Sequence, residues 1–250
     1  MSGVPVLRVK IFADGADLAG MVALARHPLV RGFTTNPTLM RKAGVADYAA
    51  FAREALDAIP DRPISFEVLS DDFDEMEDQA LEIASWGPNV YVKIPVTNTR
   101  GQFAGNLIAQ LAHARVKLNV TAVMTAEQVD RICPCLSPDT PSCVSVFAGR
   151  IADTGRDPLP VVAAVCDRLR ELPAAEVIWA SPREIFNVVQ ADQIGCHIIT
   201  VTHDLFAKLT TLGKDLDLFS LETVQMFRND AVQAGYILRR AAAPAVRAAV

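Results

Sequence analysis

The chain has 250 residues, of which 51% are hydrophobic and 21% charged, and its formal net charge is -5 at pH 7. Such a chain can bury a substantial core, which excludes intrinsic disorder for its body. Its charges do not form the basic patch of nucleic-acid-binding proteins. No apolar run reaches the roughly 20 residues of a membrane span. We therefore expect neither a nucleic-acid nor a membrane partner.

The cellular compartment is predicted from the start of the chain and from its cysteines. Residues 1–11 contain Arg8 and Lys10 and lack the apolar core of a signal peptide. The five cysteines are an odd number in no disulfide-like framework. Both features indicate a cytoplasmic protein. Cys133 and Cys135 have no further ligands at zinc-site spacing, so we expect no metal.

Eight short runs of apolar and β-branched residues predict strands. They cover residues 9–13, 32–35, 64–68, 90–95, 117–123, 143–148, 176–180 and 197–201. Several are apolar almost throughout, which is typical of strands buried on both faces of a parallel sheet.

Amphipathic stretches separate these runs. Residues 47–59 and 73–86 place apolar side chains at three- and four-residue spacing, which predicts helices. Acidic residues begin the second helix, where the helix dipole favours them. They are better explained as a helix start than as a cation site. These residues are Asp71, Asp72, Asp74 and Glu75.

The alternation of strands and helices predicts the fold class. A strand followed by a helix, at roughly 25- to 30-residue intervals, is typical of a (β/α)8 barrel or a doubly wound sheet. The glycine-rich motifs of nucleotide-binding open sheets are missing, and eight strands close a parallel barrel. We predict an α/β protein with one (β/α)8 TIM-barrel domain over residues 1–250. Residues 220–238 predict an additional C-terminal helix, and residues 241–250 a disordered tail.

Polar residues end most of the predicted strands. In a parallel barrel, the carboxyl ends of the strands surround the active site, so these residues are candidate site residues. They come from seven strands: Asp14, Thr34, Thr35, Asn36, Glu67, Lys93, Asn119, Thr121, Ser145, Arg150, Ser181 and Arg183.

Lys93 lies inside the apolar run of predicted strand 4. Removing an ammonium group from water is costly, so burial favours the neutral amine, which is a nucleophile. The strand alone fits equally well a structural ion pair between Lys93 and Glu67 or Asp14.

Five segments resemble the transaldolase family. The first two are residues 32–39 (GFTTNPTL), similar to its T-T-N-P-[ST]-L signature, and residues 92–97 (VKIPVT), similar to the V-K-[IV]-P segment whose lysine forms a Schiff base. Residues 145–151 (SVFAGRI) resemble the family's S-P-F-V-G-R-I stretch. Residues 12–14 (FAD) and 180–183 (ASPR) resemble its first-strand aspartate and its A-S-F-R phosphate motif. The five segments occur in the family's order and spacing.

The resemblance implies catalytic roles for four residues. Lys93 would attack the C2 carbonyl of a phosphorylated ketose, and Asp14 would accept the proton of its C4 hydroxyl. Glu67 and Thr121 match the pair that holds a water for the proton transfers. The iminium itself is the electron sink, so no metal or organic cofactor is implied.

The resemblance also implies a sugar-phosphate-binding set: Thr35, Asn36, Asn119, Ser145, Phe147, Arg150, Ser181 and Arg183. The last two and Arg150 match residues that bind the phosphate with fork-shaped donors. Spacing alone instead favours surface pairing of the arginines with Asp153 or Glu184. Pro182 replaces the family's phenylalanine, and Val146 a usual proline, so the phosphate loop departs from the family pattern.

Transfer of a dihydroxyacetone unit between sugar phosphates, in the pentose phosphate pathway, is the implied activity. Related aldolases release free dihydroxyacetone from fructose 6-phosphate and carry glutamine where Glu67 lies and tyrosine where Phe147 lies; both positions here favour transfer. A barrel that only binds a sugar phosphate is the third hypothesis, and it would gain nothing from a buried lysine beside two carboxylates. Compact relatives form rings through the terminal helix, so we expect a homo-oligomer.

Overall fold

The computed structural model describes residues 7–238, and its eight strands form one closed barrel. The strands are β1 (Lys10–Asp14), β2 (Val30–Thr34), β3 (Ile64–Glu67), β4 (Val90–Pro95), β5 (Leu118–Val123), β6 (Ser142–Val146), β7 (Ala175–Trp179) and β8 (Ile198–Val201). Strands that are consecutive in sequence are neighbours in the sheet, all pairs are parallel, and β8 pairs with β1. The predicted (β/α)8 barrel is confirmed.

Helices connect the strands of the barrel unit, residues 7–210. They are α1 (Leu18–Ala25), α2 (Pro37–Lys42), α3 (Tyr48–Ala58), α4 (Phe73–Ser85), α5 (Gly105–His113), α6 (Ala126–Ile132), α7 (Ala148–Asp153), α8 (Leu159–Arg168), α9 (Phe186–Gln193) and α10 (His203–Ala207). Two helices follow β2 and two follow β6.

Local capping fixes where the two predicted helices begin. Asp47 caps α3 by accepting a hydrogen bond from the Ala50 amide. Asp72 caps α4 by accepting from the amides of Asp74 and Glu75, which satisfies donors that the first helical turn leaves unpaired. The acidic cluster is therefore a helix start, as predicted. Asp71 is the exception, because its carboxylate accepts from the amide and hydroxyl of Thr99.

The barrel interior is a packed core. Phe12, Cys143, Ile178 and Ile198, from four different strands, form one buried cluster. Gly32 on β2 makes room for it, because a Cβ at this position would lie 2.5 Å from the ring of Phe12. The apolar strand runs of the sequence thus fill the barrel and leave polar side chains at the carboxyl ends of the strands.

Residues 211–238 belong to a second compact unit. Its helix α11 (Leu216–Gln233) is capped by Asp215, whose carboxylate accepts from the Leu218 amide. The predicted helix at residues 220–238 is present but shifted toward the amino terminus. The single domain over residues 1–250 stays a prediction, and the tail predicted at residues 241–250 lies outside the described residues. Among residues 7–238, no helix is both long and apolar enough to cross a membrane.

Candidate active site

A cavity of about 360 Å³ opens at the carboxyl ends of the barrel strands. It brings together nine of the twelve residues to which the resemblance gives a catalytic or sugar-phosphate-binding role: Asp14, Asn36, Glu67, Lys93, Thr121, Ser145, Phe147, Arg150 and Ser181. The other three, Thr35, Asn119 and Arg183, do not line it. Most of the residues named from the strand ends therefore lie around one cavity.

Lys93 lies on β4, as predicted, and its side chain is only 8% exposed. Its ammonium Nζ lies 3.0 Å from Glu67 Oε2 and donates to the backbone carbonyl of Thr35 at 2.8 Å. Glu67 is the register partner of Lys93 on the neighbouring strand β3. Because parallel strands present register partners at the same height, the amine and the carboxylate enter the cavity together.

Asp14 ends β1, and its Oδ1 accepts a hydrogen bond from Thr34 Oγ1 at 2.8 Å. Burial among the strand ends raises the pKa of Asp14 above its ordinary value, while the charge of Lys93 and the hydrogen bond from Thr34 lower it by less. A carboxylate in this setting binds a proton more readily than one in water, so it is suited to general-base work.

Thr121 contributes a buried hydroxyl that has no hydrogen-bond partner within the described part of the chain. It lines the cavity at an irregularity of β5, where the pairing with β6 shifts register between Val120 and Val123. Ala122 there has φ 61°, in the left-handed region that a residue with a Cβ rarely adopts. Bulges of this kind commonly redirect side chains beside active sites.

A buried polar network lies next to the cavity. Ser145 Oγ donates to Asn119 Oδ1 at 2.7 Å, and Asn119 Nδ2 donates to Ser65 Oγ at 3.1 Å. The network links β6, β5 and β3, and all three side chains are buried. Asn119 is thus held in place by its neighbours, and Ser145 presents the network to the cavity.

The anion-binding end predicted from the sequence is only partly assembled. Arg150 and Ser181 line the cavity, and the guanidinium of Arg150 lies 5.6 Å from the centre of the Phe147 ring. Ser181 has φ 58°, a left-handed conformation. Gly149 allows this arrangement, because a Cβ at this position would lie 1.5 Å from the carbonyl oxygen of Ser181.

Arg183 is instead paired with Asp153. Its Nε donates to Asp153 Oδ1 at 2.9 Å and its Nη2 donates to Oδ2. These hydrogen bonds hold the pKa of Asp153 below its usual range. The surface pairing that spacing alone favoured is therefore present for Arg183, with Asp153 as its partner.

Thr34 and Thr200 are among the cavity residues that were not assigned a role from the sequence. Thr34 stands among the strand-end residues, and the structure adds its hydrogen bond to Asp14. Thr200 on β8 also lines the cavity. In the sequence, Thr200 stands out only as a polar residue within the apolar run 197–201. Across residues 7–238, no group of three or more His, Cys, Asp or Glu side chains could hold a metal ion.

A closed parallel barrel with a lysine and two carboxylates at the carboxyl ends of its strands has the architecture of a (β/α)8-barrel enzyme. The family model for Transaldolase/Fructose-6-phosphate aldolase matches residues 11–243. The chain belongs to this family.

Individual relatives agree with this assignment. A probable transaldolase of Dehalococcoides mccartyi is 32% identical over 202 residues, which are 80% of this chain and 90% of that protein. A probable transaldolase of Streptococcus pyogenes serotype M5 is 35% identical over 207 residues, which are 81% of this chain and 90% of that protein.

Proposed function

We propose that this protein is a transaldolase that transfers a dihydroxyacetone unit between phosphorylated sugars through a Schiff base on Lys93. The observation that carries the proposal is the position of Lys93 Nζ, 3.0 Å from Glu67 Oε2 and inside a cavity shared with Asp14 and Thr121. A buried amine beside a carboxylate can lose its proton, attack a carbonyl and receive help with the proton transfers that follow.

In the first half of the reaction, the neutral amine of Lys93 attacks the C2 carbonyl of the ketose and forms a carbinolamine. Loss of water from this intermediate requires a proton on the departing hydroxyl. Glu67 is near enough to Lys93 to supply it through a water molecule. The hydroxyl of Thr121 has no hydrogen-bond partner among residues 7–238, which supports a role in holding that water. The product is the iminium of Lys93.

In the second half, Asp14 accepts the proton of the C4 hydroxyl. The C3–C4 bond breaks, its electron pair flows into the iminium, and an aldose phosphate leaves. The enamine that stays on Lys93 then adds to the aldehyde of an acceptor sugar, and the earlier steps run in reverse. Asn36 and Ser145, which line the cavity, would orient the hydroxyls of the three-carbon unit, and Asn119 would hold Ser145 in place from behind.

The phosphate of the sugar would bind at the Arg150 end of the cavity. Arg150 and Ser181 line this end, and Arg150 makes no ion pair with another residue in the range 7–238. A free guanidinium suits a phosphate, to which it can donate two parallel hydrogen bonds. Arg183 would join it only after leaving Asp153.

Replacing Asp153 with asparagine is expected to lower the KM for a phosphorylated ketose. The change removes the carboxylate that holds Arg183 and a negative charge near the anion. One additional charge-assisted hydrogen bond corresponds to a decrease of roughly ten-fold. Steady-state kinetics with fructose 6-phosphate and with fructose would measure it, and the KM for fructose should not change.

The matched control is Asp130→Asn, which breaks the similar pair between Asp130 and Arg168 outside the cavity. It should leave both KM values unchanged. Equal shifts in the two variants, or a shift for fructose as large as for its phosphate, would contradict the proposed role of Arg183.

Incubation with fructose 6-phosphate, followed by borohydride and peptide mass spectrometry, tests the proposed function. We expect a reduced adduct on Lys93. An adduct with a different ketose alone would keep the mechanism and change the substrate. Folded protein that forms no adduct with any ketose phosphate would leave a barrel that only binds sugar phosphates.

A product assay separates transfer from cleavage, the alternative activity within the family. A transaldolase should form new sugar phosphate when an acceptor aldehyde is present and release little free dihydroxyacetone without one. Glu67 and Phe147, where the related aldolases carry glutamine and tyrosine, support transfer. Rapid release of dihydroxyacetone without an acceptor would favour the aldolase activity.

We also propose that the protein acts in the cytoplasm as a homo-oligomer. All five cysteines are free, which suits a reducing compartment. Helix α11 carries exposed apolar side chains, including Leu218, Leu221, Val224 and Phe227, of the kind that a second copy would cover. Light scattering should give a multiple of the 27.0 kDa chain mass, and a monomeric mass would contradict the proposal.

A further inference from the structure

The hydroxyl group of Tyr48 takes the place of β2 at the end of β3. The ladder between these strands contains hydrogen bonds from the Phe33 amide to the Pro63 carbonyl (2.8 Å) and from the Thr35 amide to the Ser65 carbonyl (3.1 Å). In a regular parallel ladder, the Glu67 amide would next donate to the Thr35 carbonyl. Instead it donates to Tyr48 Oη at 2.7 Å, and Tyr48 Oη donates to the Glu67 carbonyl, also at 2.7 Å.

A proline explains why the Glu67 carbonyl does not accept from β2. Continuing the same ladder, the Glu67 carbonyl would accept from the amide of residue 37. Residue 37 is proline, which has no N–H, and it begins α2. The strand β2 therefore cannot supply a donor at this point. The phenol of Tyr48, which is both donor and acceptor, satisfies the two backbone groups of Glu67 at once.

Lys93 explains the second missing ladder bond, the one from the Glu67 amide to the Thr35 carbonyl. In a regular ladder, the Thr35 carbonyl would accept from the Glu67 amide. Here it accepts from Lys93 Nζ at 2.8 Å. By binding the Glu67 amide, Tyr48 leaves this carbonyl to the lysine. The same contact fixes the backbone of Glu67, whose side chain lies 3.0 Å from the same amine. One hydroxyl thus supports both neighbours of Lys93.

The tyrosine is itself held in place. It is the first residue of α3, and its ring lies 6.4 Å from the ring of Phe66 and 6.0 Å from that of Trp86, centre to centre. Burial raises the pKa of Tyr48 well above its usual value. The group therefore keeps its proton throughout the pH range of an enzyme assay, and it remains both donor and acceptor.

We propose that Tyr48 is a positioning residue of the Schiff-base reaction, which sets the place of Lys93 and Glu67 through the Thr35 carbonyl and the Glu67 backbone. The role of Tyr48 in the reaction rests on the proposed function, whereas its effect on the position of Lys93 rests on the ladder geometry alone.

Tyr48→Phe tests it, because phenylalanine keeps the ring packing and removes only the hydroxyl. The Glu67 amide then competes with Lys93 for the Thr35 carbonyl. We expect adduct formation with fructose 6-phosphate to slow by about ten-fold, as for one buried group left without its partner, with little change in KM. The pH profile of adduct formation should change as well, because Glu67 and the Thr35 carbonyl no longer keep their wild-type places beside the amine.

Tyr91→Phe is the matched control. It removes the hydroxyl of another partly buried tyrosine, on β4 and outside the cavity lining. Rates and pH profiles that coincide for wild type and Tyr48→Phe, or that change equally in Tyr91→Phe, would overturn the proposal. A role in folding alone would lower stability and leave the pH profile in place.

Labelling of Lys93 with trinitrobenzenesulfonate, mapped by peptide mass spectrometry, repeats the comparison without substrate. The two experiments together separate the proposed function from the role of Tyr48. If wild-type protein forms no ketose adduct, the proposed function is contradicted. If Lys93 is labelled equally in wild type and Tyr48→Phe, the role of Tyr48 is contradicted. If Tyr48→Phe does not fold, Trp86→Phe keeps the hydroxyl and loosens its support. The labelling of Lys93 in Trp86→Phe should then differ from that in the wild type, and labelling identical to the wild type would overturn the proposal.

Discussion

Replacement of Lys93 with arginine is expected to abolish sugar transfer while the protein stays folded. Arginine keeps a positive charge beside Glu67, 3.0 Å away in the wild type, but it stays protonated and cannot form a Schiff base. We expect kcat to fall by on the order of 10⁴-fold or more, as when a catalytic nucleophile is removed. The borohydride-trapped adduct should disappear from the Lys93 peptide.

This variant distinguishes the two explanations of Lys93 that the sequence left open. A purely structural ion pair with Glu67 would tolerate arginine, and activity would survive. Lys117→Arg is the matched control, because Lys117 has the same side chain but lies outside the cavity, where its Nζ donates to the Pro88 carbonyl. It should keep wild-type kinetics. Measurable transfer by Lys93→Arg would contradict the Schiff-base mechanism.

The barrel could be predicted from the sequence because its strands are buried on both faces. Strand β4 was predicted with its observed bounds, Val90–Pro95, since apolar residues and a following turn delimit it. The predicted strand at residues 143–148 continues too far, because β6 ends at Val146 and α7 begins at Ala148. The end of β6 and the start of α7 are equally apolar, so composition does not indicate where the strand ends.

The cavity could be predicted because a strand places alternate side chains toward the same face. Asp14 and Lys93 follow directly from that rule and from the position of active sites in barrels. The direction of Arg183 does not, because its partner Asp153 lies 30 residues away. The partner of a long side chain is determined by the folded structure, and sequence spacing indicates only which residues could be that partner.

The role of Tyr48 could not be found from local patterns at all. In the sequence it is one of several apolar or aromatic residues on one face of a predicted helix. Its hydroxyl acquires a function only when β2, β3 and α3 meet. One feature of the sequence does point to it: Pro37, which follows β2 and begins α2, has no N–H to donate to β3, so a side chain has to supply the donor.

Replacement of Asp14 with asparagine is expected to lower kcat and at the same time stabilise the fold. Asparagine can still accept the hydrogen bond from Thr34, but it cannot take the proton of the C4 hydroxyl. Loss of a general base costs about 10²- to 10⁴-fold in kcat. Removing a buried charge from an active site typically gains roughly 0.5–2 kcal/mol in the free energy of unfolding.

The stability gain should depend on pH in a defined direction. The pKa of Asp14 is raised in the folded state from its ordinary value of 3.8, chiefly by burial. Folded protein therefore binds this proton more tightly than unfolded protein, and stability falls as pH rises from about 4 through the folded-state pKa. The advantage of Asp14→Asn should be smallest below pH 4, grow through this window and then stay constant.

Denaturant unfolding of wild type and Asp14→Asn at several pH values would measure this difference, with Asp17→Asn as the matched control. Asp17 caps α1 by accepting from the Gly20 amide, and asparagine caps helices about equally well. That variant should therefore keep both kcat and the stability curve. A stability difference for Asp14→Asn that shrinks as pH rises would mean that the folded state favours the Asp14 carboxylate. Asp14 would then be a poorer proton acceptor than its burial implies, and the assignment of the C4 proton to it would have to be abandoned.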